Sequence, residues 1–227
     1  MTSIRLLLES LRDNRLADTD RVQVLSLLAR ETDRLEQLVG RVLELSRLEA
    51  RHMFAREAVD VSELVAESQA AFDAVTLTTP TKIKVTLEPG MVVRGDRAAL
   101  IRALLNLLTN AWKYTGDDKQ ISIEGRSAGR WIELIVRDNG RGIARDEQRA
   151  IYEQFSRGRA AIDSGVPGFG LGLAFVRAIV RGHRGKIDLR SEPGHTEFRM
   201  RLRKYRERGE ARARSAVSPA MSERVTP

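Results

Sequence analysis

LLNLLTNAWKY, Leu104 to Tyr114, has the spacing of a helix with one polar face. Asn106 and Asn110 stand four residues apart, so their amides project from the same side, one turn from each other. Lys113 lies three residues beyond Asn110, close to that side, and Tyr114 follows it. Leu104, Leu105, Leu107 and Leu108 surround the amides with apolar surface that a core must cover. Two amides and an ammonium on one face suit a metal–phosphate pair, because Mg²⁺ takes oxygen ligands and keeps water and phosphate in its shell. Incidental capping or surface amides are the plainer reading, and the neighbouring stretches decide between the two.

A chain of 227 residues suits one large or two small domains, and a hydrophobic content of 42% is enough for a packed core. It contains no cysteine, which excludes a disulfide scaffold and a thiolate metal site and is compatible with a cytosolic setting. No apolar run approaches the roughly 18–20 residues of a membrane span, and Met1 does not open a signal-peptide pattern. A soluble chain is expected. The net charge is +8, but much of the excess follows Met200. No aromatic interleaving or zinc spacing accompanies it, so no nucleic-acid partner is expected.

Residues 1–50 read as two helices. Ile4, Leu7, Leu8 and Leu11 form a stripe in the first. Asp13 to Asp18 breaks it, and Asp18 or Thr19 is placed to cap the second. There Val24, Leu28, Leu35, Leu38, Val42 and Leu45 recur at threes and fours, with Glu31 interrupting the seam and Leu25 and Val39 widening it. Two amphipathic helices make a poor core alone. Pairing with the same hairpin of a second chain gives a four-helix bundle, and pairing onto the second domain is the alternative. Residues 51–57 form a joint containing His52, and a second domain spans 58–203. Short strands are expected at Ala58–Val61, Lys82–Leu87, Ile121–Gly125, Trp131–Arg137, Lys186–Arg190 and Glu197–Arg203. Helices are expected from Ser62 to about Val75, from a cap at Asp96 through Tyr114, from Asp146 to near Phe155 and over Leu171–Arg181. Turns fall at Pro89-Gly90 and Ala128-Gly129. The fold class is α+β, a two-layer α/β sandwich with a mainly antiparallel sheet and helices on one face. Residues 204–227 carry almost no apolar mass and read as a disordered basic tail.

Three further stretches carry chemistry. Asp138-Asn139-Gly140-Arg141-Gly142 follows the strand WIELIVR. A carboxylate at a strand end accepts a hydrogen bond from an exocyclic amino group, and adjacent glycines admit a flat ring close to the backbone. An ordinary Asp-Asn-Gly turn is the alternative. Gly168-Phe169-Gly170-Leu171-Gly172-Leu173 opens a helix, where exposed N–H groups at the positive end of the dipole cradle phosphate. Its glycine spacing is not that of a dinucleotide fingerprint, and no strand precedes it. In Ile151 to Gly158 the aromatic Phe155 either pins the following loop or is simple core, and Arg157 and Arg159 have the reach and charge for phosphate oxygens.

In the order asparagine helix, Asp-x-Gly-x-Gly, aromatic helix and glycine loop, these stretches closely resemble the N, G1, F and G2 boxes of bacterial two-component sensor histidine kinases. RLEQLVGRVLELSRLE, Arg34 to Glu49, resembles the second helix of that family's dimerisation and phosphoacceptor hairpin. The resemblance covers about residues 1–203. It implies a nucleotide fold of the histidine kinase/chaperone-ATPase (Bergerat) type, preceded by a hairpin that dimerises as a four-helix bundle. It implies ATP and Mg²⁺ as ligands, with Asn110 on the metal, Asn106 supporting it, Lys113 on phosphate and Tyr114 beside the nucleotide. Asp138 would bind the adenine amino group, with Gly140, Gly142 and Ile143 at the pocket and Thr196 near its adenine side. Residues 156–167 would form a lid flanked by Phe155 and Arg157. Gly168, Gly170, Leu171, Gly172 and Leu173 would be its hinge and phosphate loop. A homodimer and a response-regulator receiver domain, met around Leu11–Val24, are the implied partners. The implied location is cytoplasmic, as the core of an inner-membrane sensor whose membrane portion is not in this sequence.

Departures from that family's pattern are His195 and Arg184, where glycine is usual, and Phe169, where a small or polar residue is usual. The family's phosphorylated histidine lies in a segment like His-Glu-Leu-Arg-Thr-Pro, which by this likeness falls about half a dozen residues before Met1. None of His52, His183 and His195 is expected to replace it. The heat-shock chaperone, type II topoisomerase and mismatch-repair ATPases share the fold but place a glutamate one turn before the metal asparagine, where this chain has Asn106. An amide cannot take a proton from water, so phosphoryl transfer is expected rather than hydrolysis. A nucleotide-binding dimerisation module without transfer activity of its own is the alternative.

Overall fold

The computed structural model describes residues 5–6, 9–11, 18–50, 54–77, 79, 81–159 and 168–206. Most of the expected first helix, the joint around His52, the lid from 160 to 167 and the tail beyond 206 lie outside the described residues.

The first long element, α1, runs from Asp18 to Ala50. At 1.5 Å per residue it is about 50 Å long. It is followed by β1 (Glu57–Asp60), α2 (Val61–Val75), β2 (Ile83–Leu87), β3 (Val92–Gly95) and α3 (Arg97–Tyr114). Then come β4 (Ile121–Ala128), β5 (Trp131–Asp138), α4 (Gly172–Gly182), β6 (Lys186–Glu192) and β7 (His195–Arg203). The main sheet has the order β2-β4-β5-β7-β6, in which only the β2–β4 pair is parallel. β1 and β3 form a separate antiparallel pair.

Local chemistry sets the helix starts. The Asp60 carboxylate accepts from the N–H groups of Ser62 at 2.7 Å and Glu63 at 3.2 Å, which starts α2. Asp96 accepts from the N–H of Ala99 at 3.0 Å and starts α3. The apolar stripe of α3, with Leu100, Leu104, Leu107, Leu108 and Ala111, is buried. It packs in one core with Val61, Leu64 and Phe72 of α2, Val176 and Ile179 of α4, and sheet residues Ile121, Ile123, Leu134, Val136 and Met200. β4 alternates buried and half-buried residues along most of its length, as a sheet covered on one face requires. β5, the central strand, is buried almost throughout.

Some boundaries differ from the sequence reading. β3 is an extra strand, too short and too tightly placed between a turn and the Asp96 cap to show a period. The helix expected from Asp146 is a run of turns followed by a 3₁₀ helix over Ala150–Tyr152. The Gln148 side chain anchors that segment by donating to the carbonyls of Ile143 and Ser191 at 2.9 and 3.1 Å. The β4–β5 turn is Gly129-Arg130, one residue later than read, with Gly129 at φ 62°.

The α1 seam divides its partners. Its C-terminal half, Leu38, Val42, Leu45 and Leu48, packs on Phe169, Leu171, Ala174 and Phe175 at the start of α4. The intramolecular pairing weighed from sequence is therefore present for this half. Val22, Leu25, Leu35, Val39 and Leu43 remain exposed.

Candidate functional site

The site forms where the C-terminal half of α3, the end of β5 and the start of α4 meet. Asn106 donates its side-chain N–H to the carbonyl of Arg102 at 2.9 Å, one turn back along α3. This fixes the amide with its oxygen free to face the glycine loop. A methyl group at Gly172 would lie 3.2 Å from Asn106 Oδ1 and 3.7 Å from either polar atom of the Asn110 amide. The two asparagines and the first residue of α4 therefore touch one small volume. α4 begins without a side-chain cap, which leaves its first N–H groups to other acceptors. Gly170, at φ 69°, sits against the backbone of Phe155 and Ser156, where a Cβ would come within 2.6 Å of the Ser156 carbonyl.

On the other side of Asn110 lies a largely apolar cavity of about 100 Å³. Ala111, Ile143, Ile151, Leu173 and Phe198 form its walls, and Tyr114, Gly142 and Thr196 also line it. Asp138 is its buried acid. The carboxylate accepts from the N–H of Gly140 at 2.9 Å. Burial pushes its pKa up to about 6, against the opposing pull of that hydrogen bond and of His195. Gly140 has no room for a side chain: a Cβ would lie 2.6 Å from Asp138 Oδ1 and 2.8 Å from the Tyr114 carbonyl. Gly142, at φ 79°, would press a Cβ to 2.6 Å from the Glu192 carbonyl. Thr196 is the cross-strand partner of Asp138, and its hydroxyl lies 3.0 Å from that of Ser191. Ser191 Oγ in turn accepts from the N–H of Ile143 at 2.9 Å.

The cavity opens onto a wider polar cleft of about 350 Å³, and Asn110, Tyr114, Ile151, Ser156 and Leu173 line both. Asn106, Lys113, Gly168, Gly170, Leu171 and Gly172 line the cleft alone. Burial lowers the pKa of Lys113, and the nearby charge of Arg41 lowers it further. Among the described residues no group of three or more His, Cys, Asp or Glu side chains is arranged to hold a metal. An amide oxygen beside room for phosphate is the donor set that suits Mg²⁺, which is held by few protein ligands plus phosphate and water.

Most of the residues singled out from sequence therefore converge on these two connected spaces. Gly140 supports Asp138 from behind, and Phe155 and Arg157 line neither space. The Phe155 ring is 54% exposed, so it is not core. Its backbone, at φ 63°, is what meets Gly170. Sequence reasoning missed Ser191, Gln148 and Glu147, which hold the Asp138–Ile143 loop and the start of the lid. Arg159 donates its backbone N–H to Glu147 at 2.8 Å. The contacts with Ser191 join segments 48 and 43 residues apart, and those of Gln148 with Ile143 and Arg159 with Glu147 lie within irregular turns, so no repeating spacing marks them.

Residues 95–206 match the model of the histidine kinase-, DNA gyrase B-, and HSP90-like ATPases, and residues 1–51 match that of the His kinase A (phospho-acceptor) domain. The sensor-like histidine kinase SenX3 of Mycolicibacterium smegmatis is 36% identical over 165 residues, covering 72% of this chain and 43% of its own length. The chain belongs to the sensor histidine kinases. The solved mycobacterial sensor histidine kinase MprB is 28% identical, with a TM-score of 0.57 over 66% of this chain and 97% of that one. ShkA, solved full-length in complex with AMPPNP, is 25% identical with a TM-score of 0.68, over 89% of this chain and 42% of its own. The chain thus spans less than half the length of SenX3 and of ShkA. Within this histidine kinase core no described helix is long and apolar enough to cross a membrane.

Proposed function

We propose that this chain binds Mg·ATP in the two connected spaces and passes the γ-phosphoryl group to a histidine, from which a response-regulator aspartate receives it. One observation carries the reading. The apolar cavity with Asp138 in its wall opens directly onto the cleft where Asn106, Asn110 and Gly172 meet. A ring with an exocyclic amino group fits the first and a metal-bound polyphosphate fits the second. The AMPPNP complex of ShkA supports the nucleotide.

Asp138 accepts from the adenine amino group, Gly140 leaves the carboxylate its place against the Tyr114 carbonyl, and Gly142 lets the loop pack on the Glu192 backbone at the pocket wall. Asn110 gives an amide oxygen to Mg²⁺, and Asn106 holds the adjoining amide position. Bound Mg²⁺ supplies neutralisation of charge on the phosphates. Lys113 and the N–H groups opening α4 bind phosphate oxygens. Asn106 stands where a hydrolase needs a proton acceptor, and its amide has none to offer at neutral pH. An imidazole needs no such base: its ring nitrogen bonds to the γ-phosphorus while the bond to the ADP oxygen breaks.

The accepting histidine is not His183. That ring is buried, its Nε2 accepts from the N–H of Asp96 at 2.9 Å, and its Nδ1 lies 2.7 Å from the Ile179 carbonyl, to which it donates. His195 is exposed at the start of β7, pairs across the sheet with Glu192 and lines neither space. The acceptor is a histidine outside residues 1–227, in the hairpin of the same or another chain. Homodimerisation through α1 brings two such hairpins together, and contact with a membrane belongs to a sensor portion outside this sequence.

Calorimetric titration with ATP tests the site. Wild type should bind ATP with Mg²⁺ more tightly than without it. Asn110→Asp should disturb the Mg²⁺-dependent part far more than Asn106→Ser. Equal effects of the two substitutions would contradict the division of roles.

A further inference from the structure

The last carbonyls of a helix have no partner inside it. In α3 that end carries much of the site, since Asn110, Ala111 and Tyr114 line the cavity and Lys113 lines the cleft. The Ala111 carbonyl accepts from the N–H and the hydroxyl of Thr115 at 3.1 and 2.7 Å. The Tyr114 carbonyl accepts from the N–H of Arg141 at 3.4 Å, close beside Gly140. The Trp112 carbonyl is met by a side chain seven residues further on, where Lys119 Nζ donates to it at 2.9 Å. The same ammonium donates to the carbonyls of Thr115 at 2.9 Å and Gly116 at 3.0 Å. An ammonium has three N–H groups, and here each has its own carbonyl. Its charge stands at the negative end of the helix dipole and 5.4 Å from the centre of the Trp112 ring.

Lys119 is itself held from both sides. Asn139 Oδ1 accepts from the N–H of Gln120 at 2.9 Å, and Asn139 Nδ2 donates to the Asp118 carbonyl at 2.8 Å. Asn139 stands between Asp138 and Gly140. The acid loop at the end of β5 therefore grips residues 118–120, and Lys119 from that segment grips the end of α3. The contact of Gly140 and Arg141 with the Tyr114 carbonyl closes the circuit. Lys113 and Tyr114 lie between Trp112 and Thr115, two of the residues whose carbonyls the ammonium ties together. Lys119 and Asn139 line neither the cavity nor the cleft.

Resting on the ATP reading above, we propose that Lys119, held by Asn139, is a positioning residue for the nucleotide site. Its ammonium is a tethered cation that fixes the last turn of α3 against the Asp138 loop. It acts through Tyr114 and Asp138 and touches no part of the nucleotide. Removing it frees three carbonyls, lets the last turn of α3 part from the loop and loosens the wall on which the base rests. The loss therefore extends to a ligand without phosphate, which separates this role from that of a phosphate-binding lysine.

The test measures dissociation constants of the full chain for ATP and adenosine in excess Mg²⁺. Lys119→Ala should weaken both ligands about tenfold, the scale of one lost hydrogen bond to a charged group. Propylammonium, which matches the atoms removed, should restore much of the affinity. Tetramethylammonium at the same concentration has no N–H to donate and should restore none. Lys119→Arg keeps the charge and its donors and should lose no more than about threefold. Asn139→Ala leaves the ammonium in place but unanchored, and should also weaken both ligands. Should Lys119→Ala not fold, Lys119→Arg and Asn139→Ala carry the test. Weaker ATP with unchanged adenosine, no weakening by either alanine substitution, or equal recovery with the two ammonium salts would each overturn the proposal. If wild type binds ATP, Asp138→Asn abolishes that binding and Lys119→Ala and Asn139→Ala match wild type, this inference falls and the ATP reading stands. If wild type binds neither ATP nor adenosine, both fall.

Discussion

The role proposed for Asp138 costs stability. Its carboxyl is buried, with a pKa raised to about 6, so the ionised form is disfavoured in the folded chain. A raised carboxyl pKa contributes stability at pH values below its unfolded value, and that contribution is lost as pH rises through about 6. Asp138→Asn should therefore raise the melting temperature of the nucleotide-free protein at pH 7.5, by the equivalent of roughly 2–3 kcal/mol at most, and change it little at pH 4. A ligand amino group that donates to the carboxylate favours the ionised form. ATP affinity should then fall by up to about tenfold per pH unit below about 6, and Asp138→Asn should bind adenosine poorly at every pH. A pH-independent wild-type affinity, measured by calorimetry from pH 5 to pH 8, would contradict this role. At this scale the sequence was informative where chemistry is local. Asn106 and Asn110 share a face because of their spacing, and Gly140 and Gly142 follow their acid within the same short loop. Arg184, noted as standing where glycine is usual, does adopt φ 56°. Ser191 and Gln148 were illegible because a polar residue in a strand or turn carries no sign of the distant atom it will meet.

Among the elements, α1 shows how a periodic pattern can be correct and still leave its partner open. The threes and fours of Val24 to Leu45 predict an amphipathic helix, and the helix is present. Period alone does not say which surface covers which residue. Leu45 is almost fully buried against α4, while Leu25 and Val39 are 53% and 55% exposed. The second set is the surface proposed for homodimer contact. Leu25→Glu with Val39→Glu should shift the protein toward monomer in sedimentation equilibrium and leave ATP affinity unchanged. A dimer that survives both charges would place the contact elsewhere. Leu45→Ala acts on the opposite face and should cost about 2–4 kcal/mol of docking or stability. β3 and the 3₁₀ turn at Ala150–Tyr152 were misread or missed because three or four residues are too few to display a period.

At the scale of the whole molecule, the order of four short stretches conveyed more than any one of them. Each has an ordinary alternative, as capping amides, an Asx turn, a core aromatic or a flexible loop. The fold joins three of them by the mainly antiparallel sheet and the helices on its one covered face. β5 ends at Asp138, α3 lies across the core from it, and α4 starts between them. What the chain order could not convey is that α1 reaches the cleft, because Arg41, which lines it, is more than sixty residues from its nearest cleft neighbour on α3. The destination of the phosphoryl group is the central claim. It can be tested by incubating the chain and γ-labelled ATP with a hairpin made from residues 5–50 preceded by a His-Glu-Leu-Arg-Thr-Pro segment. Acid-labile label on the hairpin, absent with Asn110→Ala and accompanied by little release of free phosphate, is the predicted result. Steady release of labelled phosphate to water with the hairpin unlabelled, or acid-labile label on the chain incubated alone, would contradict it.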